Sequence, residues 1–379
     1  MRGHDEKKQT RYFASFAICL SSTIGIAFSG NLLTFIIFYE MLTLATYPLV
    51  IHSENKKAIA AGRKYLAYTL TAGLLLIAAA GITYSITGTL DFQAGGIFGD
   101  VESHRSMAVT IFLLFLGGVG VKAGIMPLHS WLPSAMAAPT PVSALLHAVA
   151  VVKSGVFGVI RMVGFIFGPD VMSSFGLNEI LMILAGFTII VASLLAFAQD
   201  NLKRRLAYST VGHLSYIVMG AALLTETGLV GSIMHISTHA TMKITLFFCA
   251  GAIMVNLHKK DISNMNGIAS VMPWTMAAFT IGSMGLAGLP PINGFVSKWY
   301  LAAGVLEGDM MIPLVILLIS GLLNVGYFFP IIHRAYFKEG GPELEGHTEA
   351  SSVYGGTDNG YGCTLSAFWG IPRSVFQLF

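Results

Sequence analysis

Charge is what this sequence has least of. Asp, Glu, Lys and Arg together make up 11% of its 379 residues, where soluble domains carry about 25%. With 54% hydrophobic residues and a mean hydropathy of +0.71, that scarcity excludes an ordinary soluble domain and makes the chain an integral membrane protein. Cysteine is scarce too. Cys19, Cys249 and Cys363 are too few and too scattered for a disulfide framework or a thiolate metal site. A P-loop, a dinucleotide fingerprint, a flavin signature and a cysteine cluster for an iron–sulfur centre are all missing. The expectation is therefore no cofactor, no metal, no nucleic-acid partner and no covalent step catalysed by this chain. The polar start, residues 1–11, precedes an apolar stretch too long for a signal-peptide core, with no small-residue cleavage pattern. The first hydrophobic segment is expected to stay in the bilayer.

Allowing each span about 20 residues, ten transmembrane helices can be drawn: 12–29, 31–51, 65–88, 107–126, 140–165, 177–198, 206–224, 228–256, 272–306 and 311–336. The fourth runs into Gly124-Ile125-Met126-Pro127. The ninth is cut by Gly288-Leu289-Pro290-Pro291-Ile292-Asn293-Gly294. Adjacent prolines remove two donors and clash with the preceding turn, so that helix should break; Pro127, Gly288, Pro290, Pro291 and Gly294 read as geometry rather than chemistry.

With ten spans, the basic residues before span one, between spans two and three, and after spans six, eight and ten all fall on one side. The other side receives Arg105, Arg161 near a helix end, and acidic loops holding Asp91, Asp100, Glu102, Asp170, Glu226, Glu307 and Asp309. The positive-inside rule then puts both termini in the cytoplasm, in the plasma or inner membrane of a prokaryote. The two broken spans occupy matching places if the chain divides into spans one to five and six to ten. Five is odd, so the halves must be inverted, an architecture in which ion-coupled transporters set their sites beside the breaks. The expected organisation is all-α: a cytoplasmic segment 1–11, a first five-helix repeat over 12–168, a second over 177–337, and a poorly ordered cytoplasmic tail, 338–379.

Against this apolar background Lys122, Lys153, Lys243 and Lys298 lie inside spans, and Glu40 near the middle of span two. Each charge at bilayer depth costs about 2.5–3.5 kcal/mol on insertion scales and by default marks function. Lys153 and Lys243 are too far from an interface to snorkel. Desolvation disfavours a charged form and a nearby opposite charge restores it. A lysine near Glu40 would thus hold or release its proton as that carboxylate approaches or withdraws; the competing reading is a static buried pair that fixes packing. Span eight carries His235, His239 and Lys243 on one helical stripe, roughly 6 Å apart, with Thr238 and Thr241 nearby. The stripe suits proton hopping. Two histidines at i and i+4 could instead share a cation, but no third ligand stands at an obvious spacing and the lysine would repel a dication. His147, one turn after Ser143, is a candidate link toward Lys153. His129 beside the first break and His213 in span seven are either relay groups or polar packing. Asp200 with Lys203, Arg204 and Arg205 reads as an interfacial loop.

Lys122-Ala123-Gly124, then residues 127–133 (PLHSWLP) and 138–147 (APTPVSALLH), resemble the signature of antiporter-like membrane subunits. That family includes the large membrane subunits of NADH:quinone oxidoreductase (complex I), Mrp-type cation/proton antiporters and membrane-bound hydrogenases. His235 to Lys243 and Gly288 to Trp299 resemble its second-half motifs, and the likeness covers roughly residues 1–338. It implies a polar axis at the membrane midplane through Glu40, Lys122, Lys153 and Lys298, with His235, His239 and Lys243 between the halves. It also implies proton translocation, with other membrane subunits as partners and protons, and Na⁺ in some relatives, as cargo. Relatives of this kind have three more helices before the segment matching residues 1–30, and the pattern dissolves after residue 338. The expectation is thus a fragment, a split gene or a frame-shifted product. A quinone-site subunit, a secondary Na⁺/H⁺ antiporter subunit and an inactive scaffold are the competing functions.

Overall fold

The computed structural model describes residues 8–98, 105–344, 346, 347 and 349; among them the secondary structure is helical apart from two isolated β-bridges. The chain forms α1 (Gln9–Ala27), α2 (Leu32–Val50), α3 (Lys56–Thr87), α4 (Arg105–Ala123) and α5 (Thr140–Phe167). It continues with α6 (Leu177–Phe197), α7 (Leu202–Ala222), α8 (Glu226–Leu257), α9 (Pro273–Ala287), α10 (Asn293–Glu307) and α11 (Met311–Phe337). The helices α2, α3, α4 with its continuation to Ala137, α5, α6, α8 and α11 are each long and apolar enough to cross a membrane. Their outer faces carry side chains such as Leu74, Ile183, Leu318 and Leu322, all largely exposed. A surface this apolar needs hydrocarbon around it. The molecule is an all-α, polytopic membrane protein.

The remaining helices have local reasons to look different. Helix α7 opens on Lys203, Arg204 and Arg205 and carries His213 and several hydroxyl residues, yet it is buried nearly all round, so its polar groups meet protein rather than lipid. Helices α9 and α10 hold 15 residues each because the chain between them breaks at Gly288 and the adjacent prolines. The helix starts are capped where the sequence supplies Asn or Thr: Asn31, Asn55, Asn201 and Thr225 accept from the amides of Thr34, Ala58, Arg204 and Gly228.

Two loop clasps repeat one design. The Leu32 amide donates to Leu90 O and the Phe92 amide to Gly30 O; likewise Leu202 donates to Lys260 O and Ile262 to Asp200 O. The bridges are Asn31 with Asp91 and Asn201 with Asp261, so the same interval of sequence separates the two members of each kind. Between the clasped ends run α3 and α8, each 32 residues long.

Both breaks occur where the prolines and glycines put them. Gly124 (φ +71°) and Gly288 (φ +88°) take the left-handed conformation that ends a helix at little cost only for glycine. Each break carries a cis bond, Met126–Pro127 and Pro290–Pro291. Backbone groups released at the first break find side chains: Trp131 Nε1 donates to Val121 O at 2.8 Å, and the Met126 amide to Thr188 Oγ1 at 3.1 Å. A buried irregular stretch is tolerated at membrane depth only on such terms.

Three expectations need correcting. The third span starts at Lys56 rather than 65, because Asn55 caps it and the helix runs past the apolar stretch through Lys57, Arg63 and Lys64. Arg205 is not an interfacial loop residue. It is 7% exposed, and its guanidinium donates to Phe197 O and Gln199 O at the end of α6 and to Tyr327 O of α11. Helix ends leave such carbonyls without partners. Asp200 does lie in a loop, where it accepts from Ser263. Finally, described parts of the tail fold back: Glu343 pairs with Lys259, and Glu349 accepts from the Trp274 amide and Thr275 Oγ1 at the start of α9. The rest of the tail, from residue 350, lies outside the described residues.

Close helix contacts rest on glycine. A Cβ at Gly294 would sit 2.0 Å from Gly285 O, and one at Gly155 2.1 Å from Ala123 N, whereas one at Gly81 would meet nothing. Gly294→Ala should lower the unfolding free energy of the detergent-solubilised protein by about 1–3 kcal/mol, the range for overpacking, with Gly81→Ala near neutral as the control.

On the polar rim, Lys8 (2.6 Å) and Arg11 (2.9 Å) both donate to Glu54, and these bonds hold its carboxyl below the usual carboxylate range. A lowered folded pKa contributes stability above the ordinary carboxyl range that is lost as pH falls through the lowered value. The difference in melting temperature between wild type and Glu54→Gln should therefore be present at neutral pH in low salt. It should vanish in acid, and shrink in high salt because these charges are exposed.

Candidate functional site

The charged and polar groups inside the helices gather in two places. In the first half, Lys122 is fully buried at the end of α4. Its Nζ donates to Tyr39 O of α2 at 2.6 Å and lies 3.4 Å from the centroid of the Tyr39 ring. A desolvated cation over an aromatic face gains about 2 kcal/mol. Glu40 is held against α3 at Gly73, where a Cβ would come 2.5 Å from Oε1 and force the carboxylate to shift. That oxygen has no hydrogen-bond partner. Glu40 and Lys122 do not form an ion pair; the ion pairs among the described residues are Lys8 and Arg11 with Glu54, and Lys259 with Glu343. The ammonium has turned instead to a backbone carbonyl and a ring face.

The second cluster is denser. Lys153 of α5 lies 2.8 Å from His239 Nδ1 of α8. His213 Nδ1 of α7 lies 3.2 Å from His235 Nε2, and His235 Nδ1 lies 2.8 Å from Ser297 Oγ of α10. The three imidazoles form a compact group, with ring centroids of His213 5.4 Å from His235 and 5.5 Å from His239. Lys243 points elsewhere: its Nζ donates to Leu206 O at 3.0 Å and to Ser209 Oγ at 2.9 Å, both on α7. Tyr327 of α11 reaches Ser209 Oγ at 2.8 Å and Asn324 Oδ1 at 2.6 Å. Lys298 Nζ donates to Ala287 O at 3.0 Å, a carbonyl that the break at Gly288 leaves free, at a helix C-terminus whose dipole favours a cation. Chemically the cluster offers groups that accept and release protons, linked by rotatable hydroxyls and imidazoles.

A family model described as "NADH:quinone oxidoreductase/Mrp antiporter, TM" matches residues 29–324. The chain belongs to that family. It is 32% identical over 339 residues to NADH-quinone oxidoreductase subunit N of Desulforudis audaxviator, covering 89% of this chain and 67% of the relative. It is 34% identical over 316 residues to hydrogenase-4 component B of Escherichia coli, covering 79% of this chain and 46% of the relative. In three dimensions it resembles a chain of the membrane-bound sulfane sulfur reductase, an archaeal respiratory membrane complex. There the TM-score is 0.83 at 24% identity, over 97% of this chain and 73% of that one. The chain thus spans from about half to about two thirds of the length of these curated relatives.

His235, His239 and Lys243 share a helix face and are all buried, but they do not bond to one another in series. Each turns to a facing helix: His239 to α5, His235 to α7 and α10, Lys243 to α7. Groups one turn apart on a helix are held at fixed separation, while groups on facing helices can meet, so the contacts run across rather than along.

His147 is buried and neither ring nitrogen has a partner; it packs on Phe247 with centroids 5.4 Å apart. Ser143 gives its hydroxyl to Ala138 O and Pro139 O, so the expected Ser143–His147–Lys153 link is not made. His129 is half-buried beside Tyr208, with Nδ1 unpartnered. His213, by contrast, stands inside the cluster.

Ser209, Ser297, Asn324 and Tyr327 were not singled out from the sequence. One signal existed: Ser320, Asn324 and Tyr327 are polar residues at helical spacing in an otherwise apolar α11, which puts them on one inward face.

The Lys153–His239 bond has a consequence for stability. His239→Leu leaves a buried ammonium without its partner and should destabilise by about 1–3 kcal/mol. Removing both groups in Lys153→Met/His239→Leu should recover much of that loss, read as thermal unfolding in detergent. Additive single-variant losses would show that the two side chains do not depend on each other.

Proposed function

We propose that this chain is a proton-translocating subunit of a multisubunit membrane complex. Protons pass between its two halves by way of Glu40, Lys122, Lys153, His239, His213, His235, Lys243 and Lys298. The observation that carries this reading is the 2.8 Å contact between Lys153 and His239, which connects a helix of the first half to a helix of the second inside the fold. The four lysines are all supplied with protein partners at membrane depth, and fixed acceptors around a cation are what proton exchange needs.

In this reading the halves are two inverted five-helix repeats, 12–168 and 177–337, and α1, α7 and the two parts of the broken ninth span also traverse the bilayer. The equal spacing of the two loop clasps and the equal lengths of α3 and α8 support it. Under that spacing Tyr39 and Ser209 hold matching places, and each receives a buried lysine, Lys122 and Lys243. The basic loops support a cytoplasmic position for both termini, in a prokaryotic membrane. Driving modules lie on other subunits. Glu40 acts on Lys122 by approach and withdrawal, the unpartnered Oε1 being free to take up a hydrogen bond. Moving one proton against about 150 mV requires roughly 3.5 kcal/mol, within the range that a shift of about 2.5 pKa units supplies.

The test is proton flux into liposomes carrying the co-purified complex. Glu40→Gln and Lys122→Met should each slow flux by about a hundredfold, the scale of a lost proton-transfer group, with assembly intact. Flux at the wild-type rate in both variants would overturn the reading. Flux that needs sodium on the opposite side would assign the cargo exchanged for protons.

A further inference from the structure

The second half of helix α5 opens to its surroundings through one narrow window. From Ala150 to its end at Phe167 every residue is buried except Phe157, Arg161, Gly164 and Phe165, which are partly exposed. Their spacing puts them on one stripe. The guanidinium therefore faces outward between two phenylalanine rings, one a turn before it and one a turn after. Phe92 supplies a third ring from the loop between α3 and α4. Arg161 Cζ lies 4.6 Å from the Phe165 centroid, 4.9 Å from that of Phe92 and 5.1 Å from that of Phe157. Backbone bonds fix the loop there: the amides of Gln93, Gly95 and Ile97 donate to Phe165 O, Gly164 O and Ile166 O. Rings at this range hold a cation in position, but they do not neutralise it.

No carboxylate does so either. The ion pairs among the described residues are Lys8 and Arg11 with Glu54, and Lys259 with Glu343. Asp91, beside Phe92 in the chain and exposed, is not among them. Arg161 Nε is enclosed without a hydrogen-bond partner. The level of the residue decides which anion is in reach. At a rise of about 1.5 Å per residue, Arg161 stands roughly 31 Å along α5 from Thr140. That is about the thickness of the hydrocarbon core, so the guanidinium reaches the lipid headgroups at the end of the span away from Thr140. Phe157 lies a turn deeper, among the acyl chains. A phosphodiester carries negative charge at the headgroup level, and a guanidinium can meet two of its oxygens with parallel hydrogen bonds.

We propose that Arg161, with Phe92, Phe157 and Phe165, is a binding site for one membrane phospholipid. The phosphodiester accepts from the guanidinium, and an acyl chain lies along the Phe157 ring. The aromatic cage sets the direction of the guanidinium's free edge, and the planar fork favours phosphate over a single-point acceptor. The site lies apart from the proton path and does not depend on it.

Native mass spectrometry of the co-purified complex, delipidated in detergent and then titrated with phosphatidylglycerol, tests the site. Arg161→Gln should lower the affinity by at least about tenfold, the scale of a lost hydrogen bond to a charged group. Arg161→Lys, which keeps the charge and loses the fork, should fall between the two and serves if Arg161→Gln fails to assemble. Arg105→Gln removes a cation that lies over a single ring, Phe175, and should bind as the wild type does. A diacylglycerol glycolipid without phosphate should bind no better to the wild type than to Arg161→Gln. Equal phosphatidylglycerol affinity in wild type and both Arg161 variants, or an equal loss in Arg105→Gln, overturns the proposal. So does binding of inorganic phosphate as tight as that of the lipid, which would assign the site to a free anion. A Cβ at Gly164 would meet nothing, so Gly164→Cys can carry a photoreactive label in the window. In the assembled complex the label should capture phospholipid, and less of it beside Arg161→Gln; capture of another subunit instead would assign the guanidinium to a protein partner and overturn the lipid. Asp100 and Glu102 lie outside the described residues. A thermal-stability coupling of Arg161→Gln with Asp100→Asn or Glu102→Gln would reveal an internal ion pair and overturn the proposal as well.

Discussion

A cation buried at membrane depth has no water to turn to, so the protein itself must solvate it. Much of this structure follows from that constraint. Lys122, Lys243 and Lys298 each donate to a main-chain carbonyl, of Tyr39, Leu206 and Ala287, and Lys153 meets the His239 ring. Carbonyls already engaged in a helix have a spare lone pair, and a helix end frees one entirely. The break at Gly288 is therefore part of the lysine's binding site as well as an interruption of the span. Helix α7 shows the same logic from the other side: it carries the polar partners and is enclosed on nearly every face.

The two halves meet the constraint differently. The first offers Lys122 one carbonyl and the face of Tyr39, and sets its carboxylate apart, against Gly73. The second surrounds its lysines with imidazoles, hydroxyls and an amide contributed by α7, α8, α10 and α11. A sparse site whose carboxylate keeps one oxygen unpartnered can respond to movement. A dense network can pass on the state of one member to another, because low dielectric makes each hydrogen bond depend on its neighbours. Within the first half α5 lies close on α4: Gly155, two residues after Lys153, packs on the backbone of Lys122 and Ala123. Glycine there brings the two lysine-bearing helices within backbone contact.

Arg205 illustrates how structural and functional demands share residues. It closes the C-terminal end of α6 and also grips the carbonyl of Tyr327, the residue whose hydroxyl stands between Ser209 and Asn324. A guanidinium presents five donors in a planar fork and can bind several carbonyls at once. The same side chain thus ties α6 and α7 to α11 beside the polar network.

The sequence by itself determined the class of the molecule, the positions of both breaks, the family and the set of intramembrane charges. Hydropathy over 20 residues, adjacent prolines and a misplaced lysine are local quantities, each legible without knowing what lies opposite. It did not determine partners. That His239 belongs with Lys153, that Lys243 belongs with Ser209, and that His147 has no partner at either nitrogen depend on which helix faces cross, and periodicity along one helix cannot say this. His235, His239 and Lys243 share one face of α8, as their spacing implies, and packing decides that their direct hydrogen bonds run to facing helices, since residues a turn apart are held in place by the backbone while residues on facing helices can touch. Ser209, Asn324 and Tyr327 escaped notice because serine, asparagine and tyrosine are unremarkable in sequence; only packing, which buries them beside two lysines, makes them matter.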